Sequence, residues 1–123
     1  MADRNFELDV RPGAQATTTV IAVSGKIVME NVPEFRQAWQ TLQGDKVIFD
    51  LSRVTYMDSS GIGSLVNAHV ACANRGRKMA IAGASDRLQR LMSLTQVDKV
   101  FRLYPDLTAA ESGLQTTARG GIA

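Results

Sequence analysis

Apolar residues along the chain alternate between the two-residue period of strands and the 3.6-residue period of helices. Short runs rich in β-branched residues and closed by glycine or proline predict strands. Five such runs lie at residues 6–10, 17–25, 46–51, 78–83 and 99–104. The first two flank "RPGAQA", whose Pro12-Gly13 pair is typical of a turn, so they are predicted to form a hairpin. The run at 46–51, "KVIFDL", is almost continuously apolar, which indicates a strand covered on both faces or central in its sheet.

Helical periodicity returns in the intervals between these strands. The stretch "ENVPEFRQAWQTLQGD" predicts a first helix capped by Asn31 or Val32. Pro33 suits its first turn, where a missing N–H costs nothing, and Gly44 suits the position just past its end. The apolar stripe of this helix is formed by Phe35, Ala38, Trp39 and Leu42.

Three more helices are predicted further along the chain. The second runs from Ser60 to Asn74, and Ser85 predicts the cap of the third. The spacing of Thr108 and Glu111 predicts a capping box at the start of a short fourth helix. The apolar stripes of the second and third helices are Ile62, Leu65, Val66, His69, Cys72 and Ala73, and Leu88, Leu91 and Met92.

The resulting order, ββαβαβαβα, predicts an α/β fold. Strands that alternate with helices imply crossover connections and a largely parallel sheet, with the opening hairpin antiparallel. With 123 residues and no linker or internal repeat, the chain is expected to form a single domain. We expect its core at about residues 5–113 and a flexible tail at 114–123.

Composition narrows the classes of function. Fourteen basic and twelve acidic side chains give a net charge of +2, too weak to indicate a nucleic-acid partner. The single cysteine, Cys72, forms no disulfide within the chain and, as a small apolar residue, suits the core. The chain shows no signal peptide and no apolar run long enough to cross a membrane. We therefore expect a cytoplasmic protein without metal or cofactor.

The stretch "YMDSSGIGSLV" stands where the strand at 46–51 leads into the second helix. In open α/β sheets functional groups gather at such turns, and a helix N-terminus favours an anion. Asp58 or Ser59 is predicted to cap the helix. A cap alone needs no glycine at positions 61 and 63, where each costs roughly 1 kcal/mol relative to alanine in a helix interior. The two glycines indicate that another surface approaches this turn closely.

Two enzymatic interpretations of this turn fail on the sequence. "GIGSLV" begins like a dinucleotide-binding fingerprint, but Val66 replaces the third small residue and no acidic residue follows at the required distance. Neither a phosphate-binding Gly-Lys-Ser/Thr nor a G-x-S-x-G elbow is present. The only histidine, His69, lies on the apolar stripe of the helix, roughly 13 Å from Ser60 at 1.5 Å per residue, too far to act as its base.

The remaining interpretation is a binding surface that is phosphorylated. A phosphate on an exposed serine adds about −1.5 to −2 charges, which a helix N-terminus tolerates. A partner whose contacting surface is acidic or apolar would not tolerate it. Phosphorylation of one serine would then determine whether the protein binds its partner.

The residues from about 17 to about 112 resemble the STAS domain, specifically the stand-alone bacterial anti-sigma-factor antagonists. The resemblance is carried by "VIFDLSRVTYMDSSGIGSLVNAHVACANRGRKMAIAGASDRLQRLMSLTQVDKVFRLYPDLTAA", and its most specific piece is "YMDSSGIG". It implies a small mixed sheet with helices packed mainly on one side. It also implies a mechanism: the unphosphorylated antagonist binds an anti-sigma factor that is a serine kinase, which frees the sigma factor. The kinase uses its bound ATP to phosphorylate the antagonist and so releases it, and a phosphatase reverses the change.

Carried over to this chain, the resemblance makes Ser59 the phosphate acceptor, with Ser60 as the second choice. Asp58 would shape the turn. Gly61, Ile62 and Gly63 would form the close-packed part of the partner interface. The chain itself would not be an enzyme, and we expect a monomer.

The chain departs from the family in "SGKIVMEN", where many members carry acidic residues. Lys26 and Val28 occupy those places, and the nearest acid is Glu30. We include Lys26 and Glu30 in the predicted partner surface. The departure leaves a second hypothesis open: a STAS subunit of a stress-signalling complex or of an ABC lipid transporter's ATPase, with no phosphorylation cycle.

Overall fold

The computed structural model describes residues 5–42 and 44–120, with side chains described to Leu114. Its strands are β1 (Phe6–Pro12), β2 (Thr18–Ile27), β3 (Lys46–Met57), β4 (Lys78–Ala82) and β5 (Leu103–Tyr104). Its helices are α1 (Val32–Gln40), α2 (Ser59–Asn74), α3 (Asp86–Leu94) and α4 (Leu107–Gly120). Short 3₁₀ turns occupy Met29–Asn31 and Val97–Lys99.

The five strands form one mixed sheet in the order β1-β2-β3-β4-β5. β1 and β2 pair as an antiparallel hairpin, and each later strand pairs in parallel with the one before it. The parallel strands are joined by helical crossovers, as parallel pairing requires. The predicted α/β class, element order and opening hairpin are confirmed.

The helices divide unequally between the two faces of the sheet. The larger core lies under α1, α2 and α3, and it contains alternate residues of β3 such as Val47 and Phe49. The smaller core lies under α4, whose Ala110 and Leu114 pack against Ile48 on the opposite face of β3. The nearly continuous apolar run in β3 is explained by this coverage on both faces. Helices packed mainly on one side, as the family resemblance implies, are confirmed.

β1 and β2 each end two residues later than predicted, and larger differences occur in β3 and β5. β3 continues to Met57, past the predicted end at 51, because it pairs along the whole of β2 up to Ile27. Register shifts in this pairing break the alternation of buried positions, so the strand period is lost in the sequence after Leu51. The predicted strand at 99–104 shortens to β5, because the chain first passes through a 3₁₀ turn and buries Phe101 in the larger core.

The predicted capping box of Thr108 and Glu111 at the start of α4 is wrong. The carboxylate of Asp106 accepts a hydrogen bond from Ala109 N at 2.8 Å, so Asp106 rather than Thr108 caps the helix. Glu111 is buried, and its two oxygens accept hydrogen bonds from Ala14 N and Gln15 N in the β1–β2 turn, at 2.8 and 2.9 Å. The side chain assigned to a local cap therefore joins the hairpin to the last helix.

The described core extends one residue past the predicted boundary at 113, and the flexibility of the predicted tail stays a prediction. Leu114 is fully buried, and α4 continues to Gly120. Leu114 is retained in the helix because it packs against the second face of the sheet. Residues 121–123 lie outside the described part of the chain.

Candidate functional site

The candidate site is the turn between β3 and α2, at the carboxyl ends of β2 and β3. Asp58 is the N-cap of α2 and has extended backbone geometry. One oxygen of its carboxylate accepts a hydrogen bond from Gly61 N at 2.9 Å. The other accepts a bond from Met29 N at 3.2 Å, so one side chain fixes both the start of α2 and the segment that follows β2. Of the two predicted caps, the structure selects Asp58.

Removing the Asp58 carboxylate is expected to destabilise the protein by about 1–3 kcal/mol, because an N-cap and a second hydrogen bond to a charged group are lost together. Urea denaturation of Asp58→Ala measures this loss. Asp58→Asn is the matched control, since asparagine is an equally good cap and retains one acceptor. If Asp58→Ala were as stable as the wild type, the carboxylate would contribute nothing to the turn.

The two serines differ in exposure. Ser59 is exposed and Ser60 is partly buried, and they occupy the first two positions of α2. N–H groups at these positions have no partner within a helix, and the dipole there favours negative charge. A group transferred to the Ser59 hydroxyl would therefore reach solvent at a favourable end of the helix.

Gly61 and Gly63 differ in the space around them. A Cβ at Gly61 would overlap the carbonyl oxygen of Ile27 and lie 2.6 Å from Cγ of Met57. The close approach that the sequence indicated is therefore made by β2 of the same chain at Gly61. Gly63 is exposed, and a Cβ there would meet nothing within 4 Å. Internal packing explains Gly61 and leaves Gly63 unexplained.

Lys26, near the end of β2, and Glu30, in the 3₁₀ turn that follows it, lie beside this turn. Lys26 and Glu30 are exposed, and the hydrogen bond from Met29 N to Asp58 brings their segment against the start of α2. Asn31 Nδ2 donates to the carbonyl oxygen of Lys26 at 2.9 Å and closes the segment on itself. The structure thus brings the predicted surface residues together, and their role in binding stays a prediction.

Sequence reasoning missed several apolar side chains around Ser59. Met29 is 70% exposed, and Tyr56 is 47% exposed. From α3, Leu94 is 76% exposed and shares a groove with Ser59. Exposed apolar residues that cluster around one turn mark an interaction site. No sequence signal joins these three residues, because they come from different elements.

His69 and Cys72 lie away from the turn, on the body of α2. The ring of His69 contacts Phe101 edge-on, with 6.1 Å between the ring centroids. Cys72 is buried, which raises the pKa of its thiol, and Arg77 and Arg75 only partly oppose this shift. The thiol is therefore protonated at neutral pH, and the packing interpretation of both residues is confirmed. Among the described residues no three His, Cys, Asp or Glu side chains form a metal-binding group.

A family model decides the relationship of the chain to known proteins. The model of the STAS domain matches residues 5–110. The chain belongs to the STAS domain family. The resemblance inferred from "YMDSSGIG" is confirmed, and with it the expected fold.

Relatives of this STAS chain point to one group within the family. It is 33% identical to the anti-sigma-B factor antagonist of Listeria monocytogenes over 86 residues, which cover 68% of this chain and 75% of the relative. A crystal structure of an anti-sigma factor antagonist from Mycobacterium paratuberculosis superposes with a TM-score of 0.80 at 25% identity, covering 89% of this chain and 94% of that one. The relatives are thus anti-sigma factor antagonists.

The same fold occurs outside this group. A sulfate transporter family protein from Wolinella succinogenes superposes with a TM-score of 0.73 at 16% identity, covering 84% of this chain and 90% of that one. This likeness shows the fold alone. Among the described residues of the present chain, none of the helices is long and apolar enough to cross a membrane.

Proposed function

We propose that this chain is an anti-sigma factor antagonist that phosphorylation of Ser59 switches off. In its unphosphorylated form it binds an anti-sigma factor that is a serine kinase, and the sigma factor is released in the cytoplasm. The observation that carries the proposal is the placement of Ser59, which is exposed at the first position of α2 beside the carboxylate that caps the helix. The antagonists among its relatives support the same role.

The chemistry at Ser59 requires only a substrate hydroxyl from this chain. The kinase supplies ATP and the base that takes the hydroxyl proton. The Ser59 oxygen forms a bond to the γ-phosphorus, and ADP leaves. A serine phosphatase returns the hydroxyl by hydrolysis. His69 lies on the body of α2 against Phe101, so we assign no base and no catalytic role to this chain.

We propose Ser59 rather than Ser60 as the acceptor because of its greater exposure. Ser60 is partly buried, whereas a kinase must enclose the acceptor hydroxyl in its own active site. Met29 and Tyr56 provide apolar surface on which such a partner would pack. Gly63 is exposed, and the space where its Cβ would lie is open, so it is the position in α2 at which this proposal places the closest approach of a partner's backbone.

Intact mass spectrometry tests the acceptor. The wild type, Ser59→Ala and Ser60→Ala are each incubated with ATP and a candidate anti-sigma factor serine kinase from the same organism. We expect one added phosphate on the wild type and on Ser60→Ala, and none on Ser59→Ala. A phosphate that persists in Ser59→Ala would contradict the assignment.

A static binding subunit is the second candidate, favoured by the exposed Lys26 in a segment where many STAS antagonists carry acids. In this role the same turn would contact a stress-signalling complex or a transporter ATPase without a phosphorylation cycle. Binding that persists after Ser59 is phosphorylated, or in the absence of any kinase that modifies it, would support this candidate.

A further inference from the structure

An apolar groove lies between the start of α2 and the length of α3, beside Ser59. Its volume is about 560 Å³. The apolar side chains that line this α2–α3 groove are Tyr56, Met57, Ile62, Leu88, Leu91 and Leu94. Ile62 and Leu88 are buried at its floor, and Leu94 projects into solvent at its wall. The groove therefore offers a fixed apolar floor with exposed apolar side chains above it.

The rim of the α2–α3 groove is basic. Arg87 and Arg90 line it, and both are exposed. Within the part of the chain that the structure describes, neither forms an ion pair. Asp58 is the acidic residue of the lining, and its carboxylate is engaged by Met29 N and Gly61 N. The two guanidinium groups are thus available to carboxylates from outside the chain.

We propose that the α2–α3 groove binds a partner segment whose apolar side chains fill the floor and whose flanking aspartates or glutamates pair with Arg87 and Arg90. Charge complementarity favours this occupant, because the basic rim repels a basic segment. An uncharged segment would leave Arg87 and Arg90 without ion-pair partners. The inference rests on the proposed function, since it takes this segment to belong to the anti-sigma factor kinase.

The same groove gives a physical reason for release by phosphate. Ser59 lies on the groove lining, so its phosphate adds about −1.5 to −2 charges at the rim. That charge repels the acidic flanks of the bound segment and competes with them for Arg87 and Arg90. The helix N-terminus stabilises the phosphate within this chain, while the partner loses its site.

Affinity measurements with the same anti-sigma factor kinase, by isothermal titration calorimetry without ATP, test the groove. Leu94→Gln removes the most exposed apolar wall and is expected to weaken binding about 10-fold or more. Its control is Val70→Gln, an exposed apolar residue of α2 that does not line the groove and whose change should leave affinity unaltered.

The charges are tested with a double reversal. Arg87→Glu/Arg90→Glu is expected to weaken binding by about 10-fold and to reduce its dependence on ionic strength, because exposed pairs are screened by salt. Arg75→Glu/Arg102→Glu makes the same change in net charge at exposed positions away from the groove and should have little effect. Thermal unfolding of each variant establishes that the fold is retained.

The outcomes separate this inference from the proposed function. The groove variants could bind as tightly as the wild type while phosphorylation of Ser59 still abolishes binding. That result would contradict binding at the groove and leave the proposed function intact. If Leu94→Gln lowers the affinity but Arg87→Glu/Arg90→Glu does not, the partner segment binds the groove without acidic flanks, and that part of the proposal is wrong. A wild type that neither binds the kinase nor is phosphorylated by it would overturn both.

Discussion

Gly61→Ala is expected to lower the free energy of unfolding by about 1–3 kcal/mol, the cost of overpacking a filled site. The added methyl group would overlap the carbonyl oxygen of Ile27 and crowd Met57. The carbonyl oxygen belongs to the backbone of β2, so relief requires the end of that strand to move away from α2. Chemical denaturation in urea measures the loss, with the midpoint falling and the slope unchanged.

Gly63→Ala is the matched control, two residues further along the same helix. A methyl group there meets no atom, and alanine is favoured over glycine in a helix by up to about 1 kcal/mol. We therefore expect this variant to be more stable than the wild type. If a partner's backbone approaches Gly63, the same variant binds the partner more weakly despite its gain in stability. Equal destabilisation by both substitutions would contradict the distinction drawn between the two glycines.

Ser59→Glu is expected to weaken binding of the anti-sigma factor kinase by about 100-fold or more, because an unmatched charge enters a desolvated contact. The free energy of unfolding should stay within about 1 kcal/mol of the wild type or rise slightly, since a carboxylate at a helix N-terminus is favourable. Calorimetric titration with the kinase and urea denaturation of the free protein measure the two quantities. A loss of binding without a loss of stability assigns the effect to the interface.

Ser60→Glu carries the same charge one residue away and serves as the comparison. Ser60 is partly buried and does not line the α2–α3 groove, so its charge lies farther from the proposed contact. We expect a smaller loss of affinity for Ser60→Glu than for Ser59→Glu. Wild-type affinity in Ser59→Glu would contradict the switch and favour the static binding subunit.

Features that depend only on residues close together in the chain were predicted from the sequence. Ser85 caps α3 as predicted, because a cap depends only on a side chain and the next few backbone N–H groups. Asn31 stands at the N-cap position of α1, but its side chain donates to the carbonyl oxygen of Lys26 and accepts no hydrogen bond from the helix. The order of strands and helices followed from hydrophobic period, and the parallel sheet followed from that order. The sequence also located "DSSG" at a helix N-terminus, and the resemblance to the STAS antagonists then selected Ser59 as the candidate acceptor.

Features that join distant parts of the chain were decided by the tertiary structure. β3 reaches Met57 because β2 lies beside it, and Glu111 joins the β1–β2 turn rather than a cap because the fold brings Ala14 to α4. The different roles of Gly61 and Gly63 likewise depend on the position of β2.

The sequence by itself determined the family, the element order and the candidate serine, because each depends on patterns among residues that are close together in the chain. Only the tertiary structure placed Leu94 and Arg87 of α3 beside Ser59 and held the exposed Met29 against Asp58. Such a surface has no sequence period, since its members come from separate elements and meet only when the sheet orients the helices that carry them.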